Sequence, residues 1–207
     1  KKRLPGFTGE WEKVKLSNLG KFASGSGFPN KYQNKNEGDY PFFKVSDMNN
    51  LGNEKYMKKA NNYIDEDVRR QINASLFPKD TIIFAKIGAA IFLERKRLLI
   101  QSSCIDNNMM GFIPDKLLCD VGFIYMMILN IELGKLSNTS ALPSLSSIDI
   151  GQQEILIPKS IEEQKAIAQI LSDMDLEIEA LEEKLNKYKL IKEGMMEQLL
   201  TGKVRLI

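Results

Sequence analysis

The chain has 207 residues, with 29 Lys and Arg against 27 Asp and Glu, 2 Cys and no His. That length allows a domain of about 150 residues with its own core plus a long helix, and the lack of histidine excludes zinc-finger, Ser-His-Asp and Cys-His chemistries. The net charge of +2 hides an asymmetry, since residues 161–200 carry 5 basic and 10 acidic side chains and residues 1–160 carry 22 and 17. A basic globular part on an acidic stalk is compatible with binding a polyanion such as nucleic acid. No run approaches the ~18 apolar residues of a membrane span, and no basic-then-apolar leader opens the sequence.

Residues 1–20 open with a Pro-Gly turn and then alternate Trp11, Val14, Leu16 and Leu19 with polar residues, the pattern of a short strand and turn with Trp11 as a packing anchor. Residues 21–41 lack apolar periodicity and are punctuated by Gly25, Gly27, Pro29 and Gly38, so a long loop is expected. Loops of that length inside a domain are commonly functional. This one offers Ser26, lysines 21, 31 and 35 for phosphates, and Tyr32 to stack or hydrogen-bond. It lacks the Gly-Lys-Ser/Thr ending of a phosphate-binding P-loop.

Residues 42–48 read as an apolar strand with Lys44 and Asp47 on its exposed side, and a short surface helix is expected from Asp65. The segment 78–93 predicts a turn at Pro78-Lys79-Asp80, a buried strand, a Gly-containing turn and a second strand. Lys86 lies between apolar residues where a core strand rarely carries charge, so it either snorkels or is presented to an anion. Residues 94–97 read as a solvated, charged hairpin tip. Residues 98–113 read as two strands around the turn Asp106-Asn107-Asn108. A buried helix is expected within 117–133, with Phe123, Met126, Met127 and Leu129 in the core. Cys104 and Cys119 have no metal or redox spacing and read as reduced core thiols of a cytoplasmic protein. The Ser/Thr/Asn cluster of 136–153, which includes Ser140 and Ser144, is expected as a loop, and Glu154–Pro158 as a last strand.

From Ser160 to Gly202 the sequence predicts one helix of about 60 Å. Ser160 and Glu163 suggest a capping box, and Gly202 a stop. Ile167, Leu171, Met174, Ile178, Leu181, Leu185, Tyr188, Lys192, Met195 and Leu199 recur in alternating steps of four and three, and nine of these ten are apolar. That is a coiled-coil seam. Every charge from Asp173 to Glu183 is acidic and every charge from Lys184 to Lys192 is basic. An antiparallel partner would set acid beside base, so the helix is expected to pair antiparallel with a second copy or with a similar helix elsewhere. The competing reading folds it back on its own domain.

The run ALPSLSSIDIGQQEILIPKSIEEQKAIAQIL resembles the specificity subunit of type I restriction-modification systems. So do LPGFTGEWE, PFFKVSDM, DTIIFAKIGAA and MEQLLTGKVRL, in order along essentially the whole chain. The resemblance implies an α+β fold in two parts: a mixed target recognition domain at 1–157, then a helical region at 158–207 that pairs antiparallel and spaces two DNA half-sites. It implies a non-catalytic role, no cofactor, double-stranded DNA as ligand, and separate modification (methyltransferase) and restriction subunits as partners. A full subunit of the family is about twice as long. A start at Lys1 rather than Met suggests a fragment or a processed chain, and a half-length chain would homodimerise or meet its other half.

No family motif fixes the base-reading residues. By chemistry the DNA-binding candidates are Ser26, Lys31, Tyr32, Lys35, Lys44, Lys86, Asn107, Asn108, Ser140 and Ser144. Two alternatives compete: a metal-dependent nuclease using Asp80, Glu94 and Lys96, and a coiled-coil scaffold with no DNA role.

Overall fold

The computed structural model describes residues 3–138 and 141–204. The chain divides into two compact units, Lys1–Lys165 and Ala166–Ile207.

Among the described residues the first unit is built on three small sheets. β1 (Trp11–Lys15) pairs antiparallel with β10 (Glu154–Pro158), so that Trp11 faces Pro158 and Lys15 faces Glu154. The second sheet orders β2 (Gly20–Ser24), β9 (Met109–Pro114), β6 (Ile82–Ala85), β7 (Lys96–Leu99) and β4 (Tyr56–Met57). The third orders β5 (Tyr63–Ile64), β3 (Tyr40–Phe43) and β8 (Cys104–Ile105). β6 is central in its sheet and covered on both sides, which is why its Ile-Ile-Phe-Ala run shows no polar alternation. Successive residues of β3 point to opposite sides, as strand geometry requires. Phe43 joins a core of Met48, Met57, Phe77, Ile83, Leu99, Ile105 and Met109, whereas Phe42 packs with Ile64, Ala74 and Cys104. Both cysteines are buried and unlinked, and burial pushes each thiol up to about 12.

The helices are α1 (Glu66–Gln71), α2 (Val121–Leu129), α3 (Leu133–Leu136), α4 (Ser147–Gly151) and α5 (Ile161–Leu200). Several expectations are corrected here. Residues 21–24 belong to strand β2 rather than to the expected loop, because Phe22 and Ala23 pair across to Phe112 and Gly111. The strand expected over 42–48 ends at Phe43, and Val45–Asn49 coil into a 3-10 turn. Asp47 is buried rather than exposed, because its carboxylate accepts the backbone N–H groups of Lys44 (2.6 Å) and Asn61 (3.1 Å). The second strand expected before residue 93 is a 3-10 turn, Ala89–Leu93, entered through Gly88 at φ +77°, a left-handed conformation that a side chain would strain. In α2 the core residues are Phe123, Ile124, Tyr125 and Ile128, while Met126 and Met127 are half-buried and Leu129 is exposed. The Ser-rich stretch also contains α4, capped by the Ser146 hydroxyl accepting from Ile148 N–H.

Residues 94–97 are not a solvated tip. Lys96 starts β7 and is 1% exposed, with its ammonium donating to Glu94 (2.6 Å) and to the Ile131 carbonyl (2.7 Å). Glu94 also accepts the N–H groups of Leu133 (2.9 Å) and Gly134 (2.8 Å) at the start of α3. Burial opposes ionisation of Glu94, but the Lys96 bond and these two amides outweigh it and hold the carboxyl below its ordinary range.

α5 starts as the sequence suggested, with one change. The Ser160 hydroxyl accepts from Glu163 N–H (3.3 Å), but the Glu163 carboxylate is taken up by partners far away in sequence. It accepts from the Arg3 guanidinium (2.6, 2.9 and 3.2 Å) and from the Trp11 indole (3.2 Å). Its neighbour Gln164 is also buried, accepting from Asp120 N–H (2.8 Å) and donating to the Pro158 carbonyl (2.9 Å). The Glu-Gln pair of the motif therefore anchors the first turn of α5 to β1, β10 and α2.

In the second unit α5 runs to Leu200 and stops at Gly202, whose φ is +71°. Leu171, Met174, Ile178, Leu181, Leu185, Tyr188 and Met195 are each 41–58% exposed within the chain. Ile167 and Leu199 are half-buried and Lys192 is exposed. Among the described residues no helix is long and apolar enough to cross a membrane.

Candidate nucleic-acid interface

The polar loops that the sequence singled out meet around the turn between β8 and β9. Gly25 follows β2 and lies so close to the Asp106 and Ile105 carbonyls that any Cβ would collide with them. The Gly25 and Ser26 N–H groups donate to Met109 (3.0 Å) and Ile105 (2.9 Å), and Ser26 bridges to Asp106. Asp106 is buried and organises the turn. Its backbone N–H donates to the Phe43 carbonyl (2.9 Å) and its carboxylate accepts Asn108 N–H (3.0 Å). Burial pushes its carboxyl above the usual range, partly offset by its hydrogen bonds from Asn108 and by the Lys44 charge.

Lys86 leaves the end of β6 into this cluster. Its backbone N–H donates to the Asn108 carbonyl and its carbonyl accepts from Leu145 N–H, both at 2.8 Å. Ile87 bridges to Ser144. The Lys86 ammonium donates to the Ser24 hydroxyl at 2.9 Å, and no carboxylate among the described residues pairs with it. The backbone thus joins the segments carrying Ser24, Ser26, Lys86, Asn108 and Ser144.

A cleft of about 680 Å³ opens beside Asn107, lined also by Phe28, Lys31, Tyr32, Gln71 and Ile72. A 3-10 turn, Asn30–Tyr32, presents two of the first-loop candidates, with the Lys31 ammonium 4.6 Å from the centre of the Tyr32 ring. The loop is pinned from beneath by Phe28, which stacks on Phe42 with ring centres 3.8 Å apart.

Other candidates have structural engagements. The Ser26 hydroxyl oxygen accepts from Ser75 N–H (2.9 Å). Ser144 clamps its own loop, accepting from the Asn138 amide (2.7 Å) and donating its N–H to the Asn138 side-chain oxygen (3.1 Å). The Lys44 ammonium donates to Gln33 (3.1 Å), and Gln33 donates to the Phe28 carbonyl (2.9 Å). Lys35 forms an ion pair with Asp65 (3.2 Å). Ser140 lies outside the described residues. Sequence reasoning missed Ser24, Asp106 and Gln71; only the Asp106-Asn107-Asn108 turn signal hinted at any of them.

The alternative metal triad is not assembled. Asp80 N–H bonds to the Leu99 carbonyl at the far end of β7, about 10 Å of strand from Lys96. Its carboxylate pairs with Lys116 at 2.7 Å. Glu94 and Lys96 hold each other and α3. No group of three metal-ligating side chains occurs among the described residues.

Polar, partly basic loops are set on a mixed α+β scaffold that is followed by a forty-residue helix. The chain belongs to the family of type I restriction modification DNA specificity domains, whose family model matches residues 8–189. Solved structures share the fold. The S subunit of a type I restriction-modification system from M. genitalium superposes with a TM-score of 0.58 at 18% identity. A chain from a structure describing complex assembly and conformational transition of the type I R-M system gives 0.68 at 16%. The HsdS subunit from Thermoanaerobacter tengcongensis gives 0.63 at 15%. Each match covers 94% of this chain but only 46–47% of the other, so the chain spans about half the length of these structures.

Proposed function

We propose that this chain recognises double-stranded DNA in a sequence-specific manner as one half of a type I specificity subunit. The observation that carries the reading is the backbone bond from Lys86, whose ammonium is held by Ser24, to the turn that presents Asn107 beside the Lys31–Tyr32 cleft. Ammonium groups suit phosphates, and carboxamides and a ring suit bases. Residues 1–157 act as the target recognition domain and residues 158–207 as the spacer. The unit itself is non-catalytic and cytoplasmic, needs no cofactor, and positions modification and restriction subunits on a bipartite target.

The exposed seam of α5 supports pairing, because seven apolar side chains about half exposed along one helix need a partner. The acid-to-base switch between Glu183 and Lys184 favours an antiparallel one, either a second copy of this chain or the other half of a longer subunit. A self-paired chain would read a symmetric target.

Binding to mixed-sequence duplex, measured from 50 to 200 mM salt, tests the reading: phosphate contacts give a steep negative slope and a scaffold gives none. With magnesium present the duplex stays intact. Light scattering gives twice the chain mass for the self-paired form, and a monomer at high micromolar concentration would leave only the other-half reading.

A further inference from the structure

We infer that Gln71 and Asn107 are base-reading side chains of this unit, each taking an adenine edge through its carboxamide; the inference rests on the DNA-recognition reading above. The two residues come from independent segments, the last turn of α1 and the β8–β9 turn, and both line the Lys31–Tyr32 cleft. Neither side chain has a hydrogen-bond partner among the described residues. Two neighbouring carboxamides are engaged internally. Gln33 holds Phe28 and Lys44, and Asn62 accepts Asn34 N–H at 2.8 Å. Internal bonds explain those two side chains, whereas Gln71 and Asn107 have donors and acceptors available to a ligand.

The backbone beneath Gln71 is held firmly. Glu66 grips Arg69 and Arg70, the Arg69 guanidinium donates to the Ala74 carbonyl (2.9 Å), and Ser75 N–H reaches Ser26. A free polar side chain on a fixed backbone is the arrangement a reader needs, because little order is then lost on binding. The cleft places three chemistries together: an ammonium for phosphate, a ring for a base face, and carboxamides for a base edge. A carboxamide offers one donor and one acceptor side by side, which match adenine N6 and N7 in the major groove.

Selection of duplexes from a random-sequence pool, using the full 207-residue chain, tests the assignment. Gln71→Ala and Asn107→Ala should each lose adenine preference at a single, different motif position by about tenfold, with the salt slope and melting temperature unchanged. Gln71→Glu should shift its position from adenine toward cytosine, whose amino group a carboxylate accepts; a merely structural residue would not redirect preference. Lys31→Ala should lower the salt slope by about 1 and leave the motif intact. The assignment is overturned if either alanine variant keeps the parental motif, or if it weakens all positions evenly. Salt-dependent binding without any motif in the parent would also overturn it while leaving DNA binding intact. No binding at all would remove the underlying reading as well.

Discussion

The Lys96 ammonium and the Glu94 carboxylate lie 2.6 Å apart, two residues from each other, with the lysine buried and the glutamate capping α3. Removing one partner of such a pair leaves the other charge with its desolvation uncompensated. Glu94→Gln leaves a buried ammonium facing only the Ile131 carbonyl and a neutral amide, and should cost about 3 kcal/mol, or roughly 6–12 °C in melting temperature. Lys96→Met should cost less, because Glu94 keeps its two backbone amides and contact with water. Thermal unfolding of both variants gives the order; a larger loss for Lys96→Met would contradict this account.

Glu66 gives a pH signature. It accepts from Arg69 at 2.7 and 2.8 Å and from Arg70 at 2.7 Å. These bonds hold its carboxyl at about 2, against an ordinary value of 4.5. A lowered folded-state value contributes stability above the unfolded value, which is lost as pH falls through the folded one. The stability difference between the parent and Glu66→Gln should therefore be full above pH 4.5, shrink toward pH 2 and vanish below it. Denaturant titrations at several pH values measure this directly.

Lys86 and Lys35 separate a presented cation from a paired one. The first donates only to a hydroxyl, whereas the second is already neutralised by Asp65. Lys86→Ala should lower the salt slope of duplex binding by about 1 and weaken all sequences alike. Lys35→Ala should change the slope by less than half as much. Equal effects would mean that Lys86 is not at the phosphates.

Lys192 is the one charged position on the seam of α5. A charge there sets register or orientation at some cost in stability. Lys192→Leu should raise the melting temperature while broadening the distribution of oligomers in sedimentation velocity. A single dimeric species of unchanged stability would remove the register role.

Elements governed by local chemistry were legible in the sequence. α5, α1 after Asp65, the Asp106-Asn107-Asn108 turn and β10 all carry their signals within a few residues. What escaped depends on residues far away in sequence. Val45–Asn49 and Ala89–Leu93 read as strands because short apolar runs have no clear period, yet they coil once their neighbours are packed. Lys96 reads as solvated because its charge stands in a charged run, while the carbonyl that receives it is 35 residues away. The length of α5 was plain in the heptads. At the candidate site, Lys31, Tyr32 and Asn107 were visible as polar residues in loops and turns, and Lys86 as a charge between apolar residues. Gln71 was hidden because nothing in a short surface helix reveals which side chain overlooks a cleft.

The pairing of β1 with β10 has a structural corollary. Because Lys15 lies opposite Glu154, the polypeptide leaves and returns to one two-stranded base, and everything between is a single closed excursion. Segments with adjacent ends can be exchanged, inserted or re-joined in a new order without disturbing what lies outside them. The stretch 16–153 is thus closed at its ends by one strand pair, and a graft of it onto the β1–β10 base of a relative has one further junction to rebuild, the bond from Asp120 N–H to Gln164 at the first turn of α5.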